Sequence, residues 1–358
     1  MPGSPTALPE WAFFLGPPQA SGVIRCSVED FRVEELPLIH PDGEGNHLWL
    51  EIEKRAANTN WVAGQLARAA GVKSRDIGFA GMKDRHGVTS QWFSIGLQEA
   101  GNSDWQDWSI EGVTVLQAHR HGRKLRRGTL AGNRFRFVVQ QFDGDNADFE
   151  RRIRAAGERG VPNYFGPQRF GHAGRNVQGA RDWLLKGGRI RRNQRSIYLS
   201  SARSFLFNEV LAARVAQDNW DSLVDGDVAL LDGSRSVFPV VLPDEELERR
   251  CAEFDIHPTG PLPGRGRSVA RGECAVIESS VLEREQDLVE ALAATGADAG
   301  RRSLRMKPLG LAYELNKGAL TLEFELPAGA YATSLLRELV TVQDASIIEG
   351  TRPGQGQD

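Results

Sequence analysis

The sequence is poor in cysteine: Cys26, Cys251 and Cys274 are scattered, and no CxxC pair occurs. That argues against a disulfide framework and against a cysteine-rich zinc site, and it suits a reducing cytoplasm. No apolar run approaches the roughly 18 residues a membrane span needs, so no membrane partner is expected. Met1 to Glu10 lacks a basic segment followed by an apolar one, so a secretory signal is not expected. There is no internal repeat. A glycine-rich phosphate loop, a dinucleotide fingerprint, HExxH and GxSxG are all missing. The seven histidines are not spaced as a metal cluster. His119 and His121 lie two residues apart in a basic stretch, where phosphate contact is the expected role and a metal site is not. No coiled coil or long apolar face points to an obligate oligomer, and a monomer is expected.

What is present fits a soluble globular protein: 358 residues, 40% hydrophobic and 25% charged, long enough for two domains. The net charge of −3 by itself predicts no polyanion partner. Its distribution says more. Residues 119–136 hold Arg120, Arg123, Lys124, Arg126, Arg127, Arg134 and Arg136 with no acid. Residues 151–205 hold thirteen Lys/Arg against Glu158 and Asp182. Acids gather later, ten against three basics in 221–255. A basic face for nucleic-acid phosphates, with acidic surface turned away, is favoured over solvated helix faces because the basic runs contain so little compensating acid.

The stretch of most chemical interest is 76–95. Ile77 to Ala80 and Val88 to Ile95 read as two strands, and Gly81 and Gly87 fence the connection between them. At the tip, Asp84 lies between Lys83 and Arg85. A carboxylate beside two cations stays ionised and can act as nucleophile or base. A charged hairpin tip in water is the bland alternative, and on spacing alone the bland reading leads.

Along the chain, residues 1–20 read as irregular. Val23 to Arg25, Phe31 to Leu36 and His47 to Ile52 read as strands, the last with Leu48, Leu50 and Ile52 on one face. Asn58-Thr59 caps a helix from about 60 to 70. Val113 to Ala118 and Asn133 to Phe142 read as strands around the basic loop 119–128. From about 149 the texture turns helical: 149–159, 175–187, 200–218 and 280–294, with an irregular aromatic loop at 160–171 and a Pro/Gly/Arg-rich loop at 257–272. The aromatic loop, with Tyr164, Phe165 and Phe170 around Arg169, reads equally as an RNA-stacking surface or a packed elbow. Strands return at 307–316 and 319–326, followed by a short helix near 332–340. The tail after Gly350 reads as disordered. Strand texture before about 158 and after about 306 suggests a split domain that hosts an insertion.

Several motifs together resemble the TruD family of tRNA pseudouridine synthases. They are Glu29-Asp30-Phe31, Gly78 to His86, Lys124 to Gly128 with Gly132-Asn133-Arg134-Phe135, Gly160 to Gly171, and Leu326-Pro327-Ala328-Gly329 with Arg337-Glu338-Leu339. Each is weak alone, but their order along residues 22–342 is specific. The resemblance implies an α+β pseudouridine synthase core with a mixed, largely antiparallel sheet, in segments 1–158 and 307–350. It also implies an inserted α+β TRUD domain at 159–306, with 351–358 as tail. Implied too is isomerisation of uridine to pseudouridine at position 13, in the D arm of tRNA, without metal or organic cofactor. By motif match Asp84 is the catalytic aspartate, Asn133 supports its loop, and Phe135 stacks on the target base. Phe31 and Tyr331 join the aromatic wall. Arg25, where the family often has Lys, is the expected partner of Asp84; the exchange keeps the charge but changes its shape. Lys83, Arg85, His121, Arg123, Lys124, Arg126, Arg127, Arg169, Arg191 and Arg192 are the expected RNA contacts. The insertion is expected to clamp the tRNA with its basic surface.

The residues make chemical sense of this reaction. A uridine within folded RNA must be turned out of its stack at a cost of a few kcal/mol, and an aromatic returns about 1–3 kcal/mol by stacking. An ionised Asp84 can then attack the sugar C1′, attack C6 of the base, or remove a sugar proton; sequence does not choose among them. Two other classes stay open at this point. A noncatalytic RNA-binding module predicts binding that survives loss of Asp84. A nuclease predicts cleavage that depends on a divalent ion.

Overall fold

The computed structural model describes residues 8–97 and 105–346. The chain forms two compact units. A sheet unit comprises Ala20–Asp145, Leu309–Gly329 and the chain from Val340 on; a helical unit comprises the chain up to Gln19, Asn146–Pro308 and Ala330–Leu339. The division differs from the expected one in three places. The chain up to Gln19 goes with the helical unit, the next boundary falls before the helix at 146–159 rather than after it, and 330–339 returns to the helical unit.

The first pass through the sheet unit gives β1 (Ser21–Ile24), β2 (Phe31–Pro37), β3 (His47–Arg55), α1 (Thr59–Ala69), β4 (Gly78–Phe79), β5 (Val88–Gly96), β6 (Val113–His121) and β7 (Leu130–Asp143). Asn58 caps α1 through a hydrogen bond from the Asn60 amide. The apolar stripe of α1, with Val62, Ala63 and Leu66, is buried with Leu50, Ile52, Phe93 and Ile95. The strand β6 runs on to His121, so His119 and His121 are strand residues and the basic loop begins after them.

The helical unit follows: α2 (Asn146–Arg159), β8 (Val161–Pro162), α3 (Arg175–Lys186), α4 (Arg192–Ala216), β9 (Val228–Leu231), β10 (Val237–Pro239), α5 (Glu245–Ala252), β11 (Ile256–Leu262), α6 (Gly272–Leu282), α7 (Gln286–Ala294), β12 (Gly300–Ser303) and β13 (Arg305–Met306). Two expectations are corrected here. The Pro/Gly-rich segment starting at 257 is in part a strand, β11, whose Ile256–Pro258 half pairs with β9 and whose Thr259–Leu262 half pairs with β12. Proline lacks the amide donor and its ring fixes φ, yet Pro258 and Pro261 lie within the paired strand. The single helix expected at 280–294 is two helices, with a short 3₁₀ turn at Glu283–Glu285 between them.

The chain then returns as β14 (Leu309–Asn316), β15 (Ala319–Pro327), α8 (Ala332–Leu339) and β16 (Thr341–Asp344). The sheet has ten strands among the described residues, in the order β14-β15-β7-β2-β5-β3-β6, with β1 beside β7, β16 beside β1 and β4 beside β5. Among the described strand pairs of this sheet, only β2–β5 and β1–β16 run parallel. This is the mixed, largely antiparallel sheet of an α+β fold. The disordered tail expected after Gly350 lies outside the described residues.

Candidate active site

Alternation along the strands sorts the sheet unit into two faces. Register pairs Phe31 with Phe137, Val33 with Phe135 and Glu35 with Asn133 across β2 and β7, and Phe324 with Phe135 across β15. On this face the rings of Phe31, Phe135, Phe137 and Phe324 form one buried cluster, with Phe135 and Phe324 centroids 5.4 Å apart. Phe31 and Phe135 are 5% and 8% exposed. Polar side chains enter at the edge of the cluster, and the loop that carries Asp84 closes over them.

That loop is longer than a tight hairpin. Strand β4 pairs with β5 only at Gly78 and Phe79, so residues 80–87 need outside support. Neither Gly81 nor Gly87 has a positive φ. Gly87 is required for another reason: a Cβ there would meet the Phe31 carbonyl oxygen at 2.6 Å. The loop is held by four side chains. Lys83 is almost fully enclosed; its ammonium pairs with Glu35 at 2.9 Å and donates to Asn133 Oδ1. Thr59 Oγ1, at the start of α1, accepts from the Lys83 amide at 3.0 Å and donates to Gln91 at 2.8 Å. Gln91 in turn donates to the Gly81 carbonyl at 3.1 Å. Lys54, 0% exposed, donates to the carbonyls of Ala57 at 2.6 Å and Asp84 at 2.9 Å.

The Asp84 carboxylate accepts from the His86 amide through Oδ1 at 3.0 Å and from Arg25 Nη2 through Oδ2 at 2.7 Å. These are charge-assisted bonds that favour the ionised form. Arg25 lies just beyond β1, at φ 58°, with its guanidinium 4.8 Å from the Phe31 ring centroid. Its other nitrogen, Nη1, bonds Asp344 at 2.6 Å. The parallel pairing of β1 with β16 sets Ile24 opposite Asp344, which brings that second carboxylate to Arg25. Burial pushes the pKa of Lys54 down to about 8; Asp84 opposes that shift and Lys83 adds to it.

The structure thus brings Asp84, Arg25, Lys83 and Asn133 together, with Phe31 and Phe135 in the adjoining wall. Lys83 does not have the phosphate role expected of it, because its charge is spent inside on Glu35. His121 is also enclosed, 8% exposed, edge-on to Trp49 and beside Asp42. Arg85 is exposed and donates to His86. Arg123, Arg126 and Arg127 are exposed. Lys124, Arg126 and Arg127 line a groove of about 520 Å³ with Asn60, Arg75 and Phe79. The Gly128 amide donates to the Ala80 carbonyl at 2.8 Å, which ties this basic segment to the start of the Asp84 loop.

Tyr331, Arg169, Arg191 and Arg192 belong to the helical unit. Arg169 Nε donates to the Tyr331 hydroxyl at 2.9 Å, and Arg302 stacks over Phe165 at 4.2 Å. The aromatic loop is packing: Tyr164, Phe165 and Phe170 are 1%, 7% and 0% exposed, and Tyr164 bonds the Ala12 carbonyl. Arg191 and Arg192 are exposed at the N-terminus of α4. Sequence reading missed Lys54, Glu35, Asp344, Thr59 and Gln91. Lys54 and Glu35 had a signal: each continues an inward stripe, Leu50-Ile52-Lys54 and Phe31-Val33-Glu35, where a charge is out of place.

A family model described as tRNA pseudouridine synthase D (TruD) matches residues 12–187 and 182–339. The chain belongs to the TruD family. The tRNA pseudouridine synthase D of Methylococcus capsulatus is 47% identical over 321 residues, 89% of this chain and 91% of that protein. That of Nitrosococcus oceani is 45% identical over 336 residues, 92% and 93% of the two chains. The crystal structure of a putative tRNA pseudouridine synthase D from Methanosarcina mazei superposes with a TM-score of 0.70 at 22% identity, covering 93% of this chain and 96% of that one, and shares the fold. Membership makes the protein an isomerase of the tRNA pseudouridine synthase class. Among the described residues no helix is long and apolar enough to cross a membrane.

Proposed function

We propose that this chain converts uridine to pseudouridine at position 13, in the D arm of tRNA, with Asp84 as the reacting carboxylate. The observation that carries the reading is the Asp84 site itself. One carboxylate, bonded by Arg25, sits on a loop fixed at residues 81, 83 and 84 by buried side chains, in a chain of this family. Position 13 rests on the family resemblance.

The chemistry is an isomerisation, so no oxidant, reductant or second substrate enters. The C1′–N1 bond breaks, the uracil turns, C1′ bonds to C5, the C5 proton is lost to solvent and N1 gains one, so the atoms balance. Asp84 acts at C1′, at C6 or on the sugar proton. Each route needs an ionised, poorly hydrated carboxylate, and Arg25 supplies the charge that keeps it so. Phe135 and Phe31 supply apolar wall for a base turned out of its stack. Arg123, Lys124, Arg126 and Arg127 take backbone phosphates on the sheet unit. On the helical unit, Arg191 and Arg192 stand at a helix N-terminus, where the helix dipole disfavours cations; a phosphate would relieve that conflict. The helical unit is proposed to correspond to the inserted TRUD domain.

The test is pseudouridine-specific chemical mapping of a tRNA pool incubated with the protein. A new pseudouridine at position 13 is expected. No pseudouridine, or modification only elsewhere, would reject the assignment.

A further inference from the structure

The strand–helix turn at 54–59 grips the catalytic loop at three points. Lys54 Nζ reaches the Asp84 carbonyl at 2.9 Å, Thr59 Oγ1 takes the Lys83 amide at 3.0 Å, and the Ala56 amide bonds the Gly87 carbonyl at 3.2 Å. Lys54 also bonds the Ala57 carbonyl of its own turn. It is therefore a clasp, with one arm on the turn and one on the backbone of the reacting residue. Buried lysines usually face a carboxylate, whereas both hydrogen bonds of Lys54 go to carbonyls. Its positive charge faces the Asp84 loop in an enclosed setting, where charge acts strongly.

We propose that Lys54 is a positioning residue for the isomerisation, which clasps the Asp84 backbone to the β3–α1 turn and places a positive charge behind the reacting carboxylate. The proposal rests on the reading of Asp84 as that carboxylate. The geometry separates two contributions. A neutral amine still has two N–H donors for the two carbonyls, so deprotonation keeps the clasp and removes the charge. The charged groups acting on Lys54 are Asp84, which favours the ammonium, and Lys83, which opposes it. Asp84 is in turn paired with Arg25, and Lys83 with Glu35. Burial brings the loss of the Lys54 proton to a pH of about 8, so a contribution of the charge shows as a decline in rate above that pH.

The experiment compares wild type, Lys54→Met, Lys54→Arg and Asp84→Ala in single-turnover pseudouridine formation across pH 6–10, with tRNA affinity from filter binding. Lys54→Met is expected to bind tRNA within about threefold of wild type while its rate falls about 100-fold, the scale of a misplaced reacting group. Lys54→Arg is expected to recover to within about tenfold and to lose the decline above pH 8, because a guanidinium keeps its proton. If Lys54→Met reacts at the wild-type rate while Asp84→Ala is inactive, the inference fails and the catalytic reading stands. If wild type forms no pseudouridine, the catalytic reading fails and takes the inference with it. If Lys54→Met does not fold, Lys54→Arg decides: an unchanged decline above pH 8 overturns the proposal.

Discussion

Asn133 and Arg134 are neighbours on β7 and face opposite ways. Asn133 accepts from the enclosed Lys83, whereas Arg134 is half exposed and lies between Glu34 and Glu325, at 2.9 and 2.8 Å. The same split runs across the sheet. On the open face Arg136 meets Glu323 at 3.2 Å and Arg32 meets Glu53 at 4.0 Å, all of them between 31% and 58% exposed. On the enclosed face Lys83–Glu35 is 6% and 1% exposed, and Arg25–Asp84 is 12% and 14%. Charge content alone therefore does not mark function. An exposed pair is worth little, about 0–1 kcal/mol. A buried pair is costly to assemble and costly to break, so a change on the enclosed face is expected to cost far more than one on the open face. A depression of about 520 Å³ on the open face, lined by Arg32, Glu34, Glu53, Arg134 and Arg136, has the size of a ligand site without the enclosure of one.

The comparison can be broken most forcefully at Arg25. Arg25→Met leaves Asp84 and Asp344 without the cation they share. Single-turnover pseudouridine formation is expected to fall by about 100-fold or more, the scale of losing one electrostatic donor at a reacting centre; an unchanged rate would remove the enclosed face's claim to special standing. Next comes Lys83→Met, which strands Glu35 in the interior. Urea unfolding should show a loss of about 3–5 kcal/mol, much of it restored in the double variant with Glu35→Gln.

A smaller effect concerns Lys54 and pH. Its folded pKa, about 8, lies below the ordinary 10.5. Between these values the unfolded chain binds more protons, so wild-type stability gains with rising pH relative to Lys54→Met, by roughly 1–3 kcal/mol over the window. Parallel stability–pH curves for the two proteins would contradict this. The smallest effect is expected on the open face: Arg134→Ala should change stability by less than about 1 kcal/mol and leave the single-turnover rate unaltered.

The Asp84 loop was legible because its residues are contiguous, and so was Arg25, through motif context. The strands around the site were legible from alternation at Leu48-Leu50-Ile52 and Phe135-Phe137-Val139. Pairing was not. Asp344 reaches Arg25 only because β16 lies parallel to β1, and no local pattern encodes that. Lys83 illustrates the same limit. Beside Asp84 and Arg85 it reads as a surface cation, yet the register that sets Glu35 against Asn133 makes a slot that draws it inward. Strand β11 was hidden because Pro258, Gly260 and Pro261 are loop-forming residues locally, and sheet pairing on both sides overrides that preference.

The central claim, that the carboxylate of Asp84 carries out the isomerisation, is tested most directly by Asp84→Asn. The amide has nearly the same size and keeps an oxygen for Arg25. With the variant in excess over a tRNA labelled at position 13, binding is expected to match wild type while pseudouridine formation drops by several orders of magnitude. Product formation at the wild-type rate would contradict the account.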